Sequence, residues 1–538
     1  MKIFYTLLLL LSCLSGIAQN TLQANIDSLF NIYTRTGSPG VAVAIVKDGK
    51  VVLGKGYGLA NLEYDMPITT TTVFDIASVS KQFTGFAIST LIQEGKISPD
   101  DDIRKYLPEV PQFGKTITIR HLIHHTSGLR DWPSTLRAAG WRGDDGFRYE
   151  DIMRMLKQQR ELNFEPGSQY SYSNTGYNVL AALVAKVSGQ TFPEWMDEHL
   201  FKPLNMQSSQ VLPDYSKVIK QLAGSYYPNG NEYSKSNDLL TAWGSSSIYT
   251  TVEDLSKWVI HFQQALDQKD PVYLRMLETD ELNNKQKISY AYGLDVNNNN
   301  ISHTGSWAGF RTIISTWPEQ KLTIILLSNY ADFDPDTDAN AIAKFFLKDK
   351  TAPVQDREDL SNLPTVKVDT LLLKKYTGSY QLGAGWYVTF TLENGQIMVQ
   401  ASGEDKYQTD VKSDTVLWVP AYHSSVTFRE IKDKAGALKY HNIIAKRVVP
   451  VKVGLEQYVG SYYNDELETT YRLSVENGKL IAHHMRLGDF TFQPDLVVAE
   501  RFDIPSGTVK FFKNEQKAIT GFSLSNGRMK NVLFKKQK

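Results

Sequence analysis

The sequence predicts an α/β (α+β) sandwich with a central antiparallel sheet flanked by helices and a helical region, followed by two small all-β, barrel-like units. Three observations lead to this fold class. Hairpin patterns lie near both ends of the first 350 residues, helical patterns lie between them, and the tail is rich in strand patterns. Strands from both ends of the first region can complete one sheet, which the helices cover.

The two hairpin patterns are the clearest local signals. GVAVAIVKDGKVVLGKGYG (40–58) contains two β-rich runs on either side of a Lys-Asp-Gly-Lys turn, which is typical of a hairpin. RTIISTW (311–317) and LTIILLSNY (322–330) predict a second hairpin. Residues 22–36 have the pattern of a short amphipathic helix that precedes the first hairpin.

Helical patterns occupy the chain between the hairpins. Thr251 precedes VEDLSKWVIHF, and its hydroxyl can cap the first turn of that helix. The other predicted helices run from Ser78 to Glu94, from Glu150 to Gln159, from Gly176 to Ser188, and near 338–347.

The tail of the chain contains a repeat. LKKYTGSY (373–380) recurs as LEQYVGSY (455–462), and Glu-Asn-Gly at 393–395 recurs at 476–478. Asn-Gly between apolar runs is a hairpin turn, so each copy predicts one small antiparallel β unit. Two copies are too few for a solenoid, and two small barrels or sandwiches fit better.

These patterns divide the chain into five segments. The division is supported by the length, because single cores rarely grow beyond about 250–300 residues. Residues 351–370 are polar, charged and contain proline, which is typical of a linker. The predicted segments are a signal peptide (1–18), a first domain (19–350), a linker (351–370), and two β units (371–450 and 451–538).

The N-terminal stretch MKIFYTLLLLLSCLSGIAQN has one lysine, an apolar run and small residues that end at Ala18. This pattern predicts a secretory signal peptide and an exported protein, periplasmic or secreted. The alternative is a lipoprotein, because Leu-Leu-Ser before Cys13 loosely resembles a lipobox. Cys13 is the single cysteine, so the mature chain would have neither a disulfide nor a thiol nucleophile unless Cys13 is lipidated.

The overall charge excludes one class of partner. Lys+Arg and Asp+Glu are equal at 58 each, and no basic run is present. A neutral chain of this kind gives no electrostatic reason to expect nucleic acid.

The stretch FDIASVSKQFTGFAIS (74–89) contains the first candidate for chemistry. On a helix, Ser78 and Lys81 lie on the same face, so the amine can reach the hydroxyl. A serine hydroxyl needs a neighbouring base, and a lysine can serve if burial lowers its pKa toward neutrality. The helix start also offers free N–H groups to a developing oxyanion. The S-x-x-K pattern alone is expected by chance in a chain this long.

Two further patterns could supply the missing groups. Tyr172-Ser173-Asn174 precedes a helix, and the alternative interpretation is a turn that only caps that helix. His303-Thr304-Gly305 lies on a predicted edge strand, whose glycine lets a substrate backbone come close. The alternative there is an ordinary Gly-rich strand entry. The Ser306 N–H could pair with that of Ser78 as an oxyanion hole.

Taken in this order, the three patterns resemble those of the penicillin-recognising serine hydrolases. That family contains class C β-lactamases, low-molecular-weight D,D-peptidases, and their esterase and D-aminopeptidase relatives. It has S-x-x-K, then Y-x-N, then K-T-G or H-T-G. Segments such as TIRHLIHHTSGL (118–129) and EPGSQYSYSNTGYNVLA (165–181) are also similar to family segments, and the resemblance covers residues 22 to about 347.

The resemblance implies roles for eight residues. Ser78 would be the acylated nucleophile, Lys81 would accept or relay its proton, and Tyr172 would be the second general base and the acid toward the leaving group. The implied substrate-binding residues are Asn174, His303, Thr304, Gly305 and Ser306.

His303 departs from the lysine of typical β-lactamases. Its reference pKa of about 6.5 leaves it mostly neutral at pH 7 and a weaker anchor for a carboxylate. This argues against a dedicated β-lactamase.

No cofactor or metal is expected. His121, His124 and His125 have helix-like spacing, but no matching fourth ligand is evident. The chain also has no G-x-S-x-G, which removes the main support for an α/β-hydrolase.

The sequence therefore predicts an exported serine acyl-transfer hydrolase with peptidase activity first, esterase second and β-lactamase third. The expected substrates are cell-wall peptides, small esters or β-lactams. A non-enzyme alternative is a penicillin-binding sensor of the same fold. The β units would edge the active site or mediate self-association.

Overall fold

The structure, a computed structural model, describes residues 22–538 except 36, 298, 348–362, 384, 403 and 423. The predicted signal peptide, Cys13 and most of the predicted linker lie outside the described residues. Within them, no helix combines the length and the apolar character needed to cross a membrane. The chain divides into two compact units, one before the 348–362 gap and one after it, with Ala138–Gly140 grouped with the second.

The first unit is built on a six-stranded antiparallel sheet, as predicted. In spatial order the strands are Asp295–Asn297, Asn300–Trp307, Phe310–Trp317, Leu322–Ser328, Val41–Lys47 and Lys50–Tyr57. The two predicted hairpins are joined where Val41–Lys47 pairs with Leu322–Ser328, from Val41 opposite Ser328 to Lys47 opposite Leu322. Strands from both ends of the region therefore meet at the middle of one sheet.

Both faces of this sheet are covered, which explains why its central strands are continuous apolar runs. Val43 and its alternate neighbours share a core with the helices at 22–29 and Pro335–Ala343. Ala44 and its alternate neighbours share the other core with the helix Val252–Asp267. Successive side chains of a strand point to opposite faces, so one strand serves both cores.

Five of the predicted helices of the first unit lie within a few residues of their expected positions, the predicted helix 22–36 ends at residue 29, and four short helices were not predicted. Thr251 caps its helix as expected, because its hydroxyl accepts the Asp254 N–H at 3.1 Å. The helices are 22–29, Lys81–Gln93, Ile119–Ile123, Trp132–Ala138, Tyr149–Gln158, Asn174–Ser188, Phe192–Met196, Val252–Asp267, Pro271–Arg275 and Pro335–Ala343.

Short elements complete the first unit. The 3₁₀ turns are Asn31–Thr34, Ala77–Ser80, Ile103–Lys105 and Pro318–Gln320, and a π turn covers Asp197–Phe201. The small strands are Leu59–Asn61 with Met66–Pro67; Phe74–Asp75, Ile248–Thr250 and Gln210–Val211; Ser225–Asn229 with Glu232–Ser236; and Asp280–Glu281 with Lys287–Ile288.

The second unit contains two β structures. The first follows the helix Thr370–Tyr376 and is a nine-stranded sheet, ordered Lys406–Gln408, Gln396–Ala401, Trp386–Glu393, Gly378–Gly383, Ile443–Val448, Ala435–Tyr440, Ser424–Ile431, Val416–Val419 and Asp410–Val411. The second is a closed barrel of Gly460–Asn464, Thr469–Glu476, Lys479–His484, Gly488–Pro494, Arg501–Ile504, Gly507–Lys513, Ile519–Ser525 and Val532–Lys536. The 3₁₀ turns Pro420–Tyr422 and Glu456–Tyr458 accompany them.

The repeated tyrosines have the same structural role in both β structures. The Tyr380 hydroxyl donates to the Tyr376 carbonyl at 2.9 Å. The Tyr462 hydroxyl donates to the Tyr458 carbonyl at 2.7 Å. In each case a buried tyrosine ties the start of the first strand to the turn before it, so the repeated sequence pattern corresponds to a repeated local fold.

Candidate active site

Ser78 lies in a 3₁₀ turn rather than inside the predicted α-helix. The turn covers Ala77–Ser80, and the α-helix begins at Lys81. A 3₁₀ turn has three residues per turn, so positions i and i+3 eclipse each other. The expected proximity of Ser78 and Lys81 is therefore retained, and Nζ of Lys81 lies 3.0 Å from Oγ of Ser78.

The backbone before Ser78 has an unusual conformation. Ala77 has φ +47°, in the left-handed region that residues other than glycine adopt at a cost. The carboxylate of Asp75 fixes this turn, because its Oδ1 accepts the Ala77 N–H at 2.8 Å. The turn thus directs Ser78 away from the strand Phe74–Asp75 and toward Lys81.

Lys81 is completely buried, with 0% of its surface exposed. Its Nζ donates to Oδ1 of Asn174 at 2.8 Å and to the Ser245 carbonyl at 2.8 Å. Together with the Ser78 hydroxyl, these groups place three polar neighbours around one amine. The amine is therefore held in one position, and a fixed position is what a proton acceptor for Ser78 requires.

Asn174 reaches the lysine because it is the first residue of the helix Asn174–Ser188. The Ser173 hydroxyl caps that helix by accepting the Gly176 N–H at 3.4 Å. Asp131 accepts the Asn174 backbone N–H at 2.7 Å and its side-chain amide at 3.4 Å. The amide oxygen is consequently turned toward Lys81, and the interpretation of this motif as a turn that caps the helix is confirmed.

Tyr172 lies against the lysine from another side. The centre of its ring is 4.8 Å from Nζ of Lys81 and 4.3 Å from the ring of His125. His125 in turn accepts the Ser173 N–H at 3.1 Å. The histidine therefore packs against the tyrosine and also fixes the backbone that follows it.

The strand Asn300–Trp307 forms the opposite wall. Its outer neighbour, Asp295–Asn297, pairs only as far as Ser302, so the rest of the strand is an edge. A Cβ added to Gly305 would lie 2.3 Å from the Ile76 carbonyl oxygen and 2.3 Å from Oγ1 of Thr312. Only glycine allows this strand to approach the turn that holds Ser78 so closely.

Thr304 and Ser306 flank Gly305 on this edge. Both side chains are exposed, whereas His303 and Gly305 are buried. The alternation follows from the two-residue period of a strand. The edge therefore presents backbone groups next to the nucleophile turn, with the two hydroxyl side chains on its exposed face.

His303 is buried and both of its ring nitrogens have partners. Nδ1 lies 2.6 Å from the Thr304 carbonyl, and Nε2 lies 2.8 Å from the Tyr290 hydroxyl. A carbonyl only accepts, so Nδ1 carries the hydrogen and Nε2 accepts from the tyrosine. Burial, and then the nearby Lys81, lower the pKa of His303 to about 3. His303 is thus a neutral structural group at physiological pH.

This lowered pKa predicts that His303 does not control activity between pH 5 and 8. With a pKa of about 3, about one molecule in a hundred has a protonated ring at pH 5. Burial disfavours the charged ring, so His303 binds a proton less readily in the folded protein than in the unfolded chain. The contribution of the neutral ring to the free energy of unfolding is therefore present above about pH 6.5 and is lost as the pH falls below that value. His303→Asn should keep the midpoints of the kcat/KM profile even if its height changes. Disappearance of an acid limb near pH 6 in the variant would contradict this assignment.

A buried carboxyl group, Asp75, and a partly buried one, Asp238, interact with each other next to the nucleophile turn. Burial raises the pKa of Asp75, and the neighbouring Asp238 raises it further. Burial also raises the pKa of Asp238, whose Oδ2 accepts the Tyr249 hydroxyl. Among the described residues, Oδ2 of Asp75 and Oδ1 of Asp238 have no hydrogen-bond partner. Burial thus favours the protonated form of both carboxyl groups in this pair.

The histidines considered as metal ligands have other contacts. His121 Nδ1 accepts the Thr118 N–H at 3.2 Å, and His124 Nδ1 lies 2.8 Å from the Tyr290 carbonyl. Across the part of the chain that the structure describes, no group of three or more His, Cys, Asp or Glu side chains could hold a metal ion.

The structure brings together Ser78, Lys81, Tyr172 and Asn174, and places the strand of His303, Thr304, Gly305 and Ser306 beside them. Three participants were missed from the sequence: Asp131, Ser245 and Tyr290. Each reaches the cluster through hydrogen bonds from a loop or short segment without periodicity. The one sequence feature that could have indicated any of them is that Asp131 closely follows the segment TIRHLIHHTSGL (118–129).

A serine held against a buried lysine at the start of a helix, beside a free strand edge, defines a serine hydrolase. The profile of the Beta-lactamase family matches residues 21–347, which is more than half of the chain. The chain therefore belongs to the beta-lactamase family.

Relatives agree with this membership. Penicillin-binding protein 4* of Bacillus subtilis (strain 168) is 27% identical over 436 residues, which cover 77% of this chain and 95% of the relative. The octameric penicillin-binding protein homologue from Pyrococcus abyssi has a TM-score of 0.54 and 20% identity, covering 88% of this chain and 99% of its own. EstCE1, a hydrolase with promiscuous acyltransferase activity, has a TM-score of 0.52 and 20% identity, covering 61% and 99%. The two solved structures establish similarity of fold.

Proposed function

We propose that this protein is an exported acyl-transfer hydrolase that forms an acyl-enzyme on Ser78 and acts as a D,D-peptidase or D-amino-acid peptidase. The observation that carries the proposal is the 3.0 Å approach of Lys81 Nζ to Ser78 Oγ inside a buried cluster. Export is supported by the N-terminal sequence pattern.

The hydrogen-bond pattern suits proton transfer between Ser78 and Lys81. The Lys81 amine lies 3.0 Å from the Ser78 hydroxyl and donates to Asn174 and Ser245, at 2.8 Å each. In its neutral form the amine keeps two N–H groups for Asn174 and Ser245 and has one lone pair that can accept the Ser78 proton. In the acylation step the Ser78 oxygen forms a bond to the substrate carbonyl carbon, and its proton passes to Lys81.

Collapse of the tetrahedral intermediate breaks the bond to the leaving group. The leaving amine needs a proton, which Tyr172 or the protonated Lys81 can donate. Water then attacks the acyl-enzyme with the same groups acting as base, and Ser78 is regenerated. The oxyanion would accept hydrogen bonds from the backbone N–H groups of Ser78 and Ser306, because Gly305 keeps the edge strand next to the turn.

Peptidase activity is favoured by the name of the Bacillus subtilis relative, which the chain matches over 95% of that relative's length. Penicillins resemble acyl-D-Ala-D-Ala peptides in the bond that a serine attacks, so a penicillin-binding relative points to peptide substrates. The description of the Pyrococcus homologue as octameric supports self-association as a further part of the proposal.

Esterase activity is the second candidate, and His303 is the observation that favours it. With a pKa of about 3 and both nitrogens engaged, His303 offers no positive charge to a substrate carboxylate. Substrates without a free carboxylate next to the scissile bond need no positive charge at this position, so the neutral His303 would weaken their binding least. Neutral esters belong to that class.

The test is intact mass spectrometry over time after mixing the mature protein with benzylpenicillin. Its companion assay compares hydrolysis of an acyl-D-Ala-D-Ala peptide, the same peptide with its C-terminal carboxylate converted to the methyl ester, and p-nitrophenyl acetate. Ser98→Ala, which changes an exposed serine, is the matched control.

We expect a long-lived adduct of one penicillin mass together with release of D-alanine from the peptide. Rapid loss of benzylpenicillin without a lasting adduct would contradict the peptidase assignment and indicate β-lactamase activity. Hydrolysis of the neutral esters alone would favour the esterase. Absence of an adduct and of any turnover would overturn the proposal.

A further inference from the structure

The two β structures of the second unit can be compared residue by residue through their repeats. Val388 stands five residues before Glu393 in the first, and Tyr471 stands five residues before Glu476 in the second. Val388 pairs across the strands with Tyr380, and Tyr471 pairs with Tyr462. Val388 and Tyr471 are therefore equivalent positions.

Cross-strand neighbours give two more equivalent positions. Phe428 stacks on Tyr376 at 4.3 Å, and Phe511 packs on Tyr458 at 4.5 Å. Residues that lie opposite each other on neighbouring strands continue the comparison. Phe428 lies opposite Leu438, which lies opposite Ala445, and in the second structure Phe511 lies opposite Phe522, which lies opposite Phe534. Leu438 is thus equivalent to Phe522, and Ala445 to Phe534.

In the closed barrel these positions fill the interior with aromatic rings. The ring centres of Tyr471 and Phe534 are 4.9 Å apart, and those of Phe522 and Phe534 are 4.6 Å apart. All three side chains are buried. At these positions the barrel interior is filled by aromatic side chains, as expected when large side chains occupy an eight-stranded interior.

The nine-stranded sheet has smaller side chains at the three equivalent positions and contains a cavity beside two of them, Val388 and Leu438. The cavity volume is about 100 Å³, and its lining includes Val388, Val399 and Leu438. An enclosed apolar cavity of about 150 Å³ can bind benzene, and this cavity is of the same order and opens to solvent at its rim. Two of its lining residues, Val388 and Leu438, stand where the sister barrel has aromatic rings, so we take a single ring as its occupant.

The rim of the cavity has a different character. Trp386, Tyr422 and Tyr440 present aromatic surfaces there, and Glu404 is the single charged residue of the lining. The Tyr422 hydroxyl donates to the exposed Glu404 carboxylate. Aromatic faces and a carboxylate both attract a cation, and both disfavour an anion.

We propose that the nine-stranded sheet of residues 378–448 binds a small amine carrying a single hydrophobic ring, with the ring in the cavity and the ammonium group at Glu404. This site is separate from the catalytic cluster and does not depend on the proposed hydrolase function. The sister barrel occupies the same space with its own side chains and has no such role.

Isothermal titration calorimetry of the full-length mature protein with phenethylamine tests the proposal, and phenylacetate is the probe of opposite charge. We expect saturable binding of phenethylamine with a dissociation constant of about 0.1–1 mM, and binding of phenylacetate at least about tenfold weaker. Equal binding of the two probes would overturn the assignment of an amine. Absence of saturable binding would overturn the site itself.

Leu438→Phe locates the binding, because it introduces the side chain that the sister barrel has at Phe522. It should weaken phenethylamine binding at least about tenfold, whereas Ile444→Phe, at an exposed position of the neighbouring strand, should not. Undiminished binding in a folded Leu438→Phe protein would contradict the proposal. Glu404→Gln, at the exposed rim, leaves the interior intact and should reduce the preference for phenethylamine over phenylacetate; an unchanged preference would overturn the placement of the ammonium group at Glu404.

Discussion

Replacing Ser78 with alanine is expected to lower kcat/KM by about 10⁴- to 10⁶-fold on any substrate that the protein hydrolyses. The hydroxyl is the one group in the cluster placed to form the acyl bond, and Lys81 and Tyr172 have no proton to move without it. Binding of the substrate should survive, because the strand edge at Gly305 is unchanged. Steady-state kinetics and intact mass with benzylpenicillin measure the two effects separately.

The control for this prediction is Ser98→Ala, which should retain wild-type kinetics. Circular dichroism and the melting temperature must match between the variants, since Ser78 contributes no buried apolar surface. A penicillin adduct on the Ser78→Ala protein, or residual turnover within tenfold of wild type, would exclude Ser78 as the nucleophile.

Replacing Gly305 with alanine is expected to lower kcat/KM by at least about 100-fold while leaving Ser78 and Lys81 in place. The added Cβ would lie 2.3 Å from the Ile76 carbonyl oxygen, which is backbone and cannot rotate away. The edge strand must therefore move outward, and a displacement of about 1 Å at a catalytic site can cost about 10²-fold. Crowding of this kind also destabilises a protein by about 1–3 kcal/mol.

Gly143→Ala is the matched control, because a Cβ at Gly143 meets nothing within 4 Å. It should change neither kinetics nor stability. The loss in Gly305→Ala should appear in acylation by penicillin as well as in turnover, since both need the oxyanion site. A Gly305→Ala protein with wild-type acylation would show that the strand does not contribute to that site.

Much of the fold was predictable because it follows from local patterns. The hairpins, the helices and the two β structures each have a period or a turn signal that needs no knowledge of distant residues. The position of Ser78 was predicted less well. It lies in a 3₁₀ turn because Asp75 and the left-handed Ala77 set the chain direction, and neither contact has a sequence signature.

The site was predictable as far as its residues belong to short motifs. Ser78 and Lys81 follow from a spacing of three residues, and Tyr172 and Asn174 from a spacing of two. Asp131, Ser245 and Tyr290 could not be found, because each reaches the cluster through hydrogen bonds from a segment that is remote in the sequence. The cavity at Leu438 could not be predicted from the sequence either. The size of a side chain indicates how well a site is packed only when its cross-strand partners are known.

The pairing of Val41–Lys47 with Leu322–Ser328 also has a consequence for biosynthesis. The Gly40 N–H donates to the Asn329 side chain at 2.8 Å across 289 residues of chain. A ribosome releases the N-terminal strand long before its partner, so the nascent first hairpin presents two apolar faces and an unpaired edge throughout that interval. We therefore expect the catalytic unit to become resistant to proteolysis only after residue 329 has been made.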